Sequence, residues 1–439
     1  MTRTGPLVAI HSPTMTTTDA ILFDDAKGTL APLTDLRPAH AVRTGALTTA
    51  ERLTKAFNLT PIGMVVPAGL AELTSEHTAL PVNTPPEEGD NEILMINGRC
   101  PLPIDAIEHL KLNEALIEKS TSDMIAVRLT ATGVRALLTG GNPELKTVEV
   151  DDHVLMSKPW HWRTFRDKCI EYDLTSIAST MPALKDLPAG VIGIGAHPIA
   201  IHPEAIVLPT VVLDVQHGPV VIDENATIRP GAIITGPAYI GPGSTVLDQC
   251  LIKPNTAIGP VCKVSGEVAG TIFQGYANKA HAGHLGDSWI GEWSNLGADT
   301  TNSNLLNTYA EITARPTSKD KMEKTGQTFL GVTMGDHTKT AIGTRIMTGA
   351  IVGTGTMHAA TAPLSGTVDP FSWITDAGTK SFRLGKFVEV SLAVMQRRGI
   401  QQSQAYSRRL TILHETVTGQ EAFSWPGKDV SHLKSRSSE

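Results

Sequence analysis

Aliphatic side chains recur every six residues through the middle of the chain. They are Ile222, Ile228, Ile234, Ile240, Val246, Ile252, Ile258 and Val264. Four residues after each comes a compact side chain, and Gly and Pro fill much of the remainder. A period of six matches neither a helix nor a simple alternating strand. It predicts short flat strands joined by corners, with three hexads closing one triangular coil. Ile222, Ile240 and Ile258 should then stack vertically, in coils about 4.8 Å apart.

The remainder of the chain predicts different architecture on each side of these repeats. Short apolar strands over 20–23, 63–66 and 92–96 alternate with helices around 44–53 and 104–118, which indicates a layered α/β domain. A helical connector follows over 150–187, where Trp160 and Trp162 should pack against the flanking domains. A last helix over 382–413 should fold back on the repeats.

These patterns divide the chain into five predicted parts. They are a disordered tail (1–18), an α/β domain (19–155), a helical connector (156–189), the repeat domain (190–362) and a carboxyl-terminal extension with a helix (363–439).

The composition of the chain limits the classes of partner that we expect it to bind. The net charge of −7 provides no basic surface for nucleic acid. No apolar run is long enough to span a membrane, and residues 1–18 lack the features of a signal peptide. The four cysteines form no CxxC pair, and two of them occupy compact positions of the repeat, where buried thiols are expected. We therefore expect a cytoplasmic protein with neither nucleic-acid nor membrane partners.

The repeat breaks after Val264, and the break carries a cluster of titratable side chains. Lys279, His281 and His284 lie within residues 273–287, and a second interruption covers about 303–328. Interruptions of a regular solenoid are where loops protrude and function collects. We therefore place the candidate chemistry at residues 273–287.

Several amino-terminal residues resemble the sugar nucleotidyltransferase-like domain of a bacterial family. This family is related to bifunctional N-acetylglucosamine-1-phosphate uridyltransferase/glucosamine-1-phosphate acetyltransferases. The matching residues are Phe23, Asp24, Asp25, Pro32, Leu33, Thr34, Arg37, Pro38, Arg43, Gly45 and Asn97. The resemblance covers about 19–155 and implies a site for a sugar phosphate or sugar nucleotide.

Four residues are candidates for that nucleotide or phosphate site: Lys27, Arg37, Arg43 and Asn97. Arginine can hold a pyrophosphate through bidentate contacts and lysine through its point charge. The alternative is that Arg37 and Arg43 pair with nearby aspartates and only hold the domain together.

One departure from the bifunctional enzymes affects the metal. Their metal-binding aspartate is replaced here by the stretch from Asn97 to Leu102, which contains Arg99. Because arginine cannot bind Mg²⁺, we expect weak or absent nucleotide transfer, and Mg²⁺ only together with a bound nucleotide.

A second resemblance covers about 190–360. The residues from Lys279 to Asp287, with Ile290, Gly291 and Asn295 to Thr300, resemble the acetyltransferase domain of the same bifunctional enzymes. This implies a left-handed parallel β-helix of hexapeptide repeats. It also implies a homotrimer with sites between neighbouring chains and acetyl-CoA as acyl donor. The acceptor would be an amino sugar or sugar phosphate.

The same resemblance assigns roles to individual residues. Aligned on Gly286 and Asp287, the family's catalytic histidine falls on His281, but the chain is one residue shorter here, so His284 is a rival. Histidine has a pKa suited to removing a proton near neutral pH. The remaining candidates are Asn295 for orientation, Ala298 and Asn304 for contacts with acetyl-CoA or acceptor, and Lys279 for a phosphate.

Two alternative functions are also compatible with the sequence. Parallel β-helices also form trimeric zinc hydratases of the γ-carbonic-anhydrase type, and His281 and His284 with His337 or His358 would supply imidazoles for zinc. The other reading is a non-catalytic scaffold that binds a sugar nucleotide.

Overall fold

The computed structural model describes residues 17–182 and 186–419. The tail predicted over 1–18 lies almost entirely outside this range, as does the end of the predicted extension over 363–439. No helix in the described part of the chain is both long and apolar enough to cross a membrane.

The amino-terminal domain is a six-stranded sheet with helices. Its elements are β1 (Thr18–Phe23), a 3-10 helix (Ala39–Ala41), α1 (Thr49–Ala56), β2 (Leu59–Val65), α2 (Ala68–Glu76), β3 (Glu92–Asn97), α3 (Asp105–Glu108), β4 (Glu114–Glu118), β5 (Asp123–Thr130), α4 (Ala131–Leu138), β6 (Lys146–Val150) and α5 (His161–Thr180). The strand order is β2-β1-β3-β5-β4-β6, with β1 parallel to both neighbours and β5 antiparallel to β3. The predicted α/β domain is confirmed.

The helix predicted over 104–118 is wrong. The structure has only one helical turn, α3, and then the strand β4, which pairs with β5 and β6. The backbone reverses at Asn113, whose φ of 62° is left-handed and incompatible with a continuing helix. The helix predicted around 44–53 begins at Thr49, and the Thr48 hydroxyl caps it by accepting from the Glu51 amide in a capping box.

Residues 192–381 contain the short strands of the solenoid. They are β7 (Ile192–Gly195), β8 (Ile199–Ile201), β9 (Ile206–Val207), β10 (Val212–Val215), β11 (Val220–Ile222), β12 (Thr227–Ile228), β13 (Ile233–Thr235), β14 (Ala238–Ile240), β15 (Thr245–Val246), β16 (Leu251–Ile252), β17 (Thr256–Ile258), β18 (Lys263–Val264), β19 (Glu267–Ala269), β20 (Ile272–Phe273), β21 (Asn278–Lys279), β22 (His284–Gly286), β23 (Trp289–Ile290), β24 (Asn295–Leu296), β25 (Thr301–Asn302), β26 (Thr313–Ala314), β27 (Glu323–Lys324), β28 (Thr333–Met334), β29 (Lys339–Thr340), β30 (Arg345–Ile346), β31 (Ile351–Val352), β32 (Met357–Ala359), β33 (Thr367–Val368), β34 (Ser372–Thr375) and β35 (Gly378–Ser381).

Every third strand, from β7 to β24, joins the same parallel sheet, so the solenoid has three faces. The first face runs from β7 to β22, the second from β8 through β23 to β33, and the third from β9 through β24 to β34 and β35. Ile222 pairs with Ile240 and Ile240 with Ile258, as the six-residue period predicts. All three side chains are fully buried. The predicted parallel β-helix is therefore confirmed, and its left-handed sense follows from the resemblance.

The carboxyl-terminal helix predicted over 382–413 is two helices. They are α6 (Leu384–Gln396) and α7 (Gln404–Thr418). Gly399 lies between them with a φ of 72°, where the left-handed backbone ends the helical path. The second interruption of the repeat forms the antiparallel pair β26 and β27.

The second face of the solenoid is covered by the amino-terminal domain. Side chains of α5 and of the loop 29–47 share one buried apolar cluster with outward-facing residues of this face, among them Ala200, Val221, Tyr239, Ala257, Ile272, Trp289 and Ile351. Trp160 and Trp162 belong to this cluster, which confirms their predicted packing role. Trp162 Nε1 donates to Thr333 Oγ1 at 3.0 Å, so the connector helix is fixed in register on the face.

We predict that Ile240→Asp abolishes folding. The carboxylate would be placed without a partner inside a column of aliphatic side chains, which costs several kcal/mol or more. Circular dichroism and thermal unfolding of the purified protein would measure this. Ile206→Asp is the control, because Ile206 is 54 % exposed on β9 and should tolerate the same substitution. A folded Ile240→Asp protein would contradict the stacking.

Candidate functional site

The solenoid coil becomes shorter at the predicted break. Ile258 pairs with Phe273 and Val264 with Lys279, fifteen residues further in each case, where the regular hexads require eighteen. Lys279 thus takes the interior position above Val264 and is 1 % exposed. A lysine in the aliphatic column is the first irregularity of the site.

The buried Lys279 amine is satisfied by backbone carbonyls. Its Nζ donates to the carbonyl oxygens of His281 at 2.7 Å, Ala282 at 3.2 Å and Ser265 at 3.3 Å. Burial lowers the pKa of Lys279 to about 8. These contacts fix the turn over 280–283, and a phosphate contact by this amine would require it to leave all three carbonyls.

His281 lies exposed on that turn. Within the described part of the chain its imidazole has no hydrogen-bond or ion-pair partner. The structure therefore places this candidate in solvent on the edge between the third and first faces.

His284 begins β22 on the first face and is paired with a carboxylate. Its Nδ1 lies 3.4 Å from Glu267 Oε1, in the coil directly below, and Glu267 also bonds to Lys253. The hydrogen bond from Lys253 lowers the pKa of Glu267, so this carboxylate is ionised at neutral pH. A carboxylate at Nδ1 orients the ring and leaves Nε2 as the basic nitrogen.

The free nitrogen of His284 points over Gly286. A methyl group built on Gly286 would lie 2.6 Å from His284 Nε2 and 2.7 Å from Asn304 Nδ2. Both nitrogens therefore lie directly against Gly286, and only a residue without a side chain fits beneath them. The glycine thus lets a base and an amide donor lie side by side, two groups that can act together on a reacting amine or hydroxyl.

Asp287 holds this arrangement to the connector helix. Its Oδ2 accepts from Asn304 Nδ2 at 2.8 Å, while its Oδ1 accepts from Arg163 Nε at 3.1 Å and Arg166 at 2.7 Å. The amide of Asn304 is therefore oriented by a carboxylate that two arginines of α5 fix in place.

Asn295 and Ala298 lie away from His284. Asn295 is exposed on the third face, where its Oδ1 accepts from Asn278 at 2.7 Å. Ala298 lies at the next corner, with its carbonyl bonded to the Gly343 amide at 2.7 Å. Within one chain the structure brings together His284 and Asn304 of the predicted set, while Asn295 stays apart.

A second polar cluster lies at the carboxyl ends of β1 and β3. The Arg99 guanidinium is buried there and bonds to Asp25 and Asp123, each at 2.7 Å. Asn97 Nδ2 donates to Asp25 Oδ2 at 2.9 Å, and Lys27 Nζ lies 2.6 Å from Asp123 Oδ1. Lys27 and Asn97, two of the predicted phosphate ligands, thus meet at one sheet edge.

The other two predicted phosphate ligands lie in the interface between the domains. Arg37 lies 2.8 Å from Asp336 and 3.2 Å from Glu292, both on the solenoid. Arg43 donates its backbone amide to Gln274 Oε1 at 2.8 Å, and its carbonyl accepts from Trp289 Nε1 at 3.0 Å. Both arginines therefore make structural contacts, but these contacts are with the solenoid and not with the nearby aspartates proposed from sequence.

Glu267, Asp287 and the arginines of α5 are not among the residues that the sequence motifs predict for the site. Glu267 pairs in register with His284 in the adjacent coil, so extending the stacking rule across the shortened coils would have found it. Asp287 was used only to align the motif. Arg163 and Arg166 come from a helix outside the repeat, and no pattern in the sequence indicates their contact.

The imidazoles proposed for zinc do not gather within one chain. His337 is buried, with Nε2 bonded to the Tyr406 hydroxyl at 2.7 Å, and His358 is buried in β32. Among the residues that the structure describes, no group of three or more His, Cys, Asp or Glu is arranged to hold a metal ion.

An α/β domain joined to a parallel β-helix is the class of protein that these features define. Residues 20–181 match the family described as sugar nucleotidyl transferase. Part of the chain is also similar to bifunctional nucleotidyltransferase/acetyltransferases.

Two curated relatives illustrate this relationship. The bifunctional sugar-1-phosphate nucleotidylyltransferase/acetyltransferase of Sulfurisphaera tokodaii is 33 % identical over 142 residues, which cover 31 % of this chain and 34 % of the relative. The bifunctional protein GlmU of Methanococcus aeolicus is 30 % identical over 162 residues, covering 36 % and 39 %. The chain therefore spans little more than a third of the length of the relatives it matches.

Solved structures with overlapping folds are distant. A hexapeptide transferase family protein from Anaplasma phagocytophilum is 15 % identical, with a TM-score of 0.20, covering 48 % of this chain and 98 % of that one. The acetyltransferase domain of PglB from Neisseria gonorrhoeae, in complex with acetyl coenzyme A, is 11 % identical, with a TM-score of 0.15, covering 83 % and 100 %.

We predict that Arg37→Met destabilises the protein by about 3–5 kcal/mol, because it leaves the fully buried Asp336 without its cation. Burial, with Glu292 nearby, already raises the pKa of Asp336 to about 6 despite Arg37. Urea unfolding would measure the loss.

Two further variants test the reason for this loss. Arg37→Met combined with Asp336→Asn should recover part of the stability, because the orphaned charge is gone. Arg408→Met is the control, because it breaks an exposed pair with Glu72 and should change stability little. An Arg37→Met protein as stable as wild type would show that the interface does not depend on this pair.

Proposed function

We propose that the chain is a transferase of sugar-nucleotide metabolism. Its β-helix would move an acetyl group from acetyl-CoA to an amino sugar or sugar phosphate. The observation that carries this proposal is the His284 imidazole, which is paired with Glu267 and lies beside the Asn304 amide over Gly286. The relationship to bifunctional nucleotidyltransferase/acetyltransferases supports the choice of reaction.

In this mechanism the acceptor amine or hydroxyl approaches His284 Nε2 beside the Asn304 amide. His284 Nε2 takes its proton as the acceptor atom attacks the thioester carbonyl, and Glu267 stabilises the imidazolium that forms. Collapse of the tetrahedral intermediate breaks the carbon–sulfur bond. The CoA sulfur then leaves and takes the proton back from the imidazolium. Asn304, fixed by Asp287, is placed to donate to an oxygen of the acceptor or of the intermediate.

The two histidines give the proposal its test. His284→Ala should lower kcat by about 10² to 10⁴ without unfolding the protein, the usual contribution of a general base. His281→Ala is the matched variant and should cost much less, because its ring has no partner to orient it. Acetyl-CoA turnover with a panel of amino sugars and sugar phosphates would be measured, with circular dichroism as the folding control.

The other outcomes are equally informative. A nearly inactive His281→Ala and a nearly normal His284→Ala would support the assignment made by aligning Gly286 and Asp287. If neither substitution matters, the β-helix is a binding platform and the acyltransferase proposal fails. Gly286→Ala adds an independent check, since its methyl group would displace the His284 imidazole and the Asn304 amide.

For the amino-terminal domain we propose binding of a nucleotide or sugar phosphate, with weak or absent nucleotidyl transfer. Lys27 is the accessible cation at the carboxyl ends of the strands, with its side chain 57 % exposed, and Asn97 lies beside it. Both aspartates of this cluster are already neutralised by arginine and lysine. That arrangement favours the scaffold reading for this domain alone.

We also propose a homotrimer that forms through the first face. In register, Ile192, Val212, Ile233 and Leu251 form an outward apolar column, and the same column continues into Glu267 and His284. Ile192 is 54 % exposed and Ile233 is 41 % exposed, a cost that a second copy packed on this face would remove. The site would then lie at the edge of the contact between copies.

The assembly is tested by Ile233→Lys, which places a charge in the centre of that column. We expect wild type to sediment as a trimer at micromolar concentration and the variant to dissociate while remaining folded. Ile342→Lys is the control, because Ile342 is 80 % exposed in the corner between β29 and β30 and is not part of this column. A monomeric wild-type protein would exclude the assembly, and a trimeric Ile233→Lys variant would place the contact elsewhere.

A further inference from the structure

The buried guanidinium of Arg99 lies between two carboxylates from different strands. Asp25 follows β1 by two residues, and Asp123 is the first residue of β5. Arg99 Nε donates to Asp25 Oδ1 at 2.8 Å, and its NH2 nitrogen donates to both Asp25 Oδ2 and Asp123 Oδ2 at 2.7 Å. The NH2 nitrogen therefore bridges the two aspartates, and together with Nε it forms a bidentate contact with Asp25.

The position of this guanidinium is tightly determined. The Arg99 side chain is fully buried, and its NH1 nitrogen donates to the Met156 carbonyl at 3.1 Å. In return, the Met156 amide donates to the Arg99 carbonyl at 2.8 Å. The segment before α5 thus fixes the Arg99 backbone, and the guanidinium cannot move away without losing its hydrogen bond to the Met156 carbonyl.

Hydrogen-bond donors occupy every oxygen of the two carboxylates, and both oxygens of Asp25 accept two hydrogen bonds each. Asp25 Oδ1 also accepts from the Lys27 amide at 3.1 Å, and Asp25 Oδ2 also accepts from Asn97 at 2.9 Å. Asp123 Oδ1 is bonded to the Lys27 ammonium at 2.6 Å. Mg²⁺ needs oxygens at about 2.0–2.1 Å in an octahedron and would meet a fixed positive charge at the centre of this group. Mg²⁺ therefore does not fit the residues present.

We infer that Arg99 is a resident cation in the position where two facing carboxylates would otherwise hold a divalent metal. Arginine is permanently charged and planar, and it satisfies two carboxylates through directed hydrogen bonds. The site at the carboxyl ends of β1 and β3 is thus complete without metal, and a phosphate ligand there would be bound free of Mg²⁺. This inference does not depend on acyl transfer by the solenoid.

The test is a gain of metal binding in the full chain. Arg99→Ser removes the guanidinium and leaves Asp25 and Asp123 facing a vacated space. We expect this variant to bind one Mn²⁺ per chain, measured by the loss of the free Mn²⁺ signal in electron paramagnetic resonance. Mn²⁺ or Mg²⁺ should also raise its melting temperature, and neither effect should appear in wild type.

Two control variants separate position from charge. Lys27→Ala removes one positive charge from the same cluster but keeps Arg99, so it should gain no Mn²⁺ site. Arg99→Ser combined with Asp123→Asn should lose the Mn²⁺ that the single variant gained.

Two results would overturn the inference. One is a folded Arg99→Ser protein that binds no Mn²⁺. The other is a wild-type protein that binds Mn²⁺ and loses it on Asp123→Asn. This second comparison needs no change at Arg99, so it decides the question even if Arg99→Ser does not fold. Equal Mn²⁺ titrations of wild type and Asp123→Asn would support the inference.

Discussion

The fold depends on the vertical stacking of aliphatic side chains inside the solenoid. Each coil places its strands directly over those of the previous one, so an interior residue has a fixed neighbour above and below. Burying one such side chain is worth about 1.5–3 kcal/mol. Any irregularity must therefore be accommodated without opening the column, and this constraint shapes the site.

Lys279 shows how the constraint is met. Its stem continues the column above Val264, and its amine would be a buried charge without partners in a regular coil. The shortened coil brings the carbonyls of His281 and Ala282 within hydrogen-bonding distance of the amine. The same shortening places His284 over Glu267 at the start of β22. The same irregular coil thus provides hydrogen-bond partners for the Lys279 amine and brings His284 to Glu267.

The contact between the domains depends on buried polar groups as well as apolar packing. Arg37 lies over the Trp289 ring, 6.0 Å from its centre, while pairing with Asp336. A buried ion pair adds little net stability compared with apolar packing, but breaking one side of it is costly. Such pairs therefore select one docking geometry. That geometry also sets Arg163 and Arg166 against Asp287, which connects the α/β domain to the candidate acyl-transfer site.

Sequence reasoning was strongest where the period was uninterrupted. The six-residue step placed Ile222, Ile240 and Ile258 in one column because each interior position has the same requirement. It was weaker over 104–118, where a single turn of helix and a strand share similar apolar spacing. It placed the candidate chemistry in the coil that the structure shows to be shortened, but it could not tell that Lys279 points inward. Which side chain meets which across coils, as with Glu267, depends on the shortened register and not on local sequence.

Arg37 and Arg43 illustrate a different limit. Their spacing matches a phosphate-binding stretch, yet their partners are more than two hundred positions away in the chain. A local motif records which residue types are present but not which surface lies opposite. The fold supplies that surface here, in the second face of the solenoid.

The covered second face also limits how this protein can be divided or recombined. A solenoid separated from the α/β domain would expose Tyr239 and Trp289, with Ala257 and Ile272 between them, along a strip of parallel strands. Exposed apolar strips of this kind favour aggregation. The two halves are therefore not interchangeable modules. A fusion that exchanged the amino-terminal half for another nucleotidyltransferase-type domain would have to reproduce both α5 and the 29–47 loop to keep the solenoid in solution.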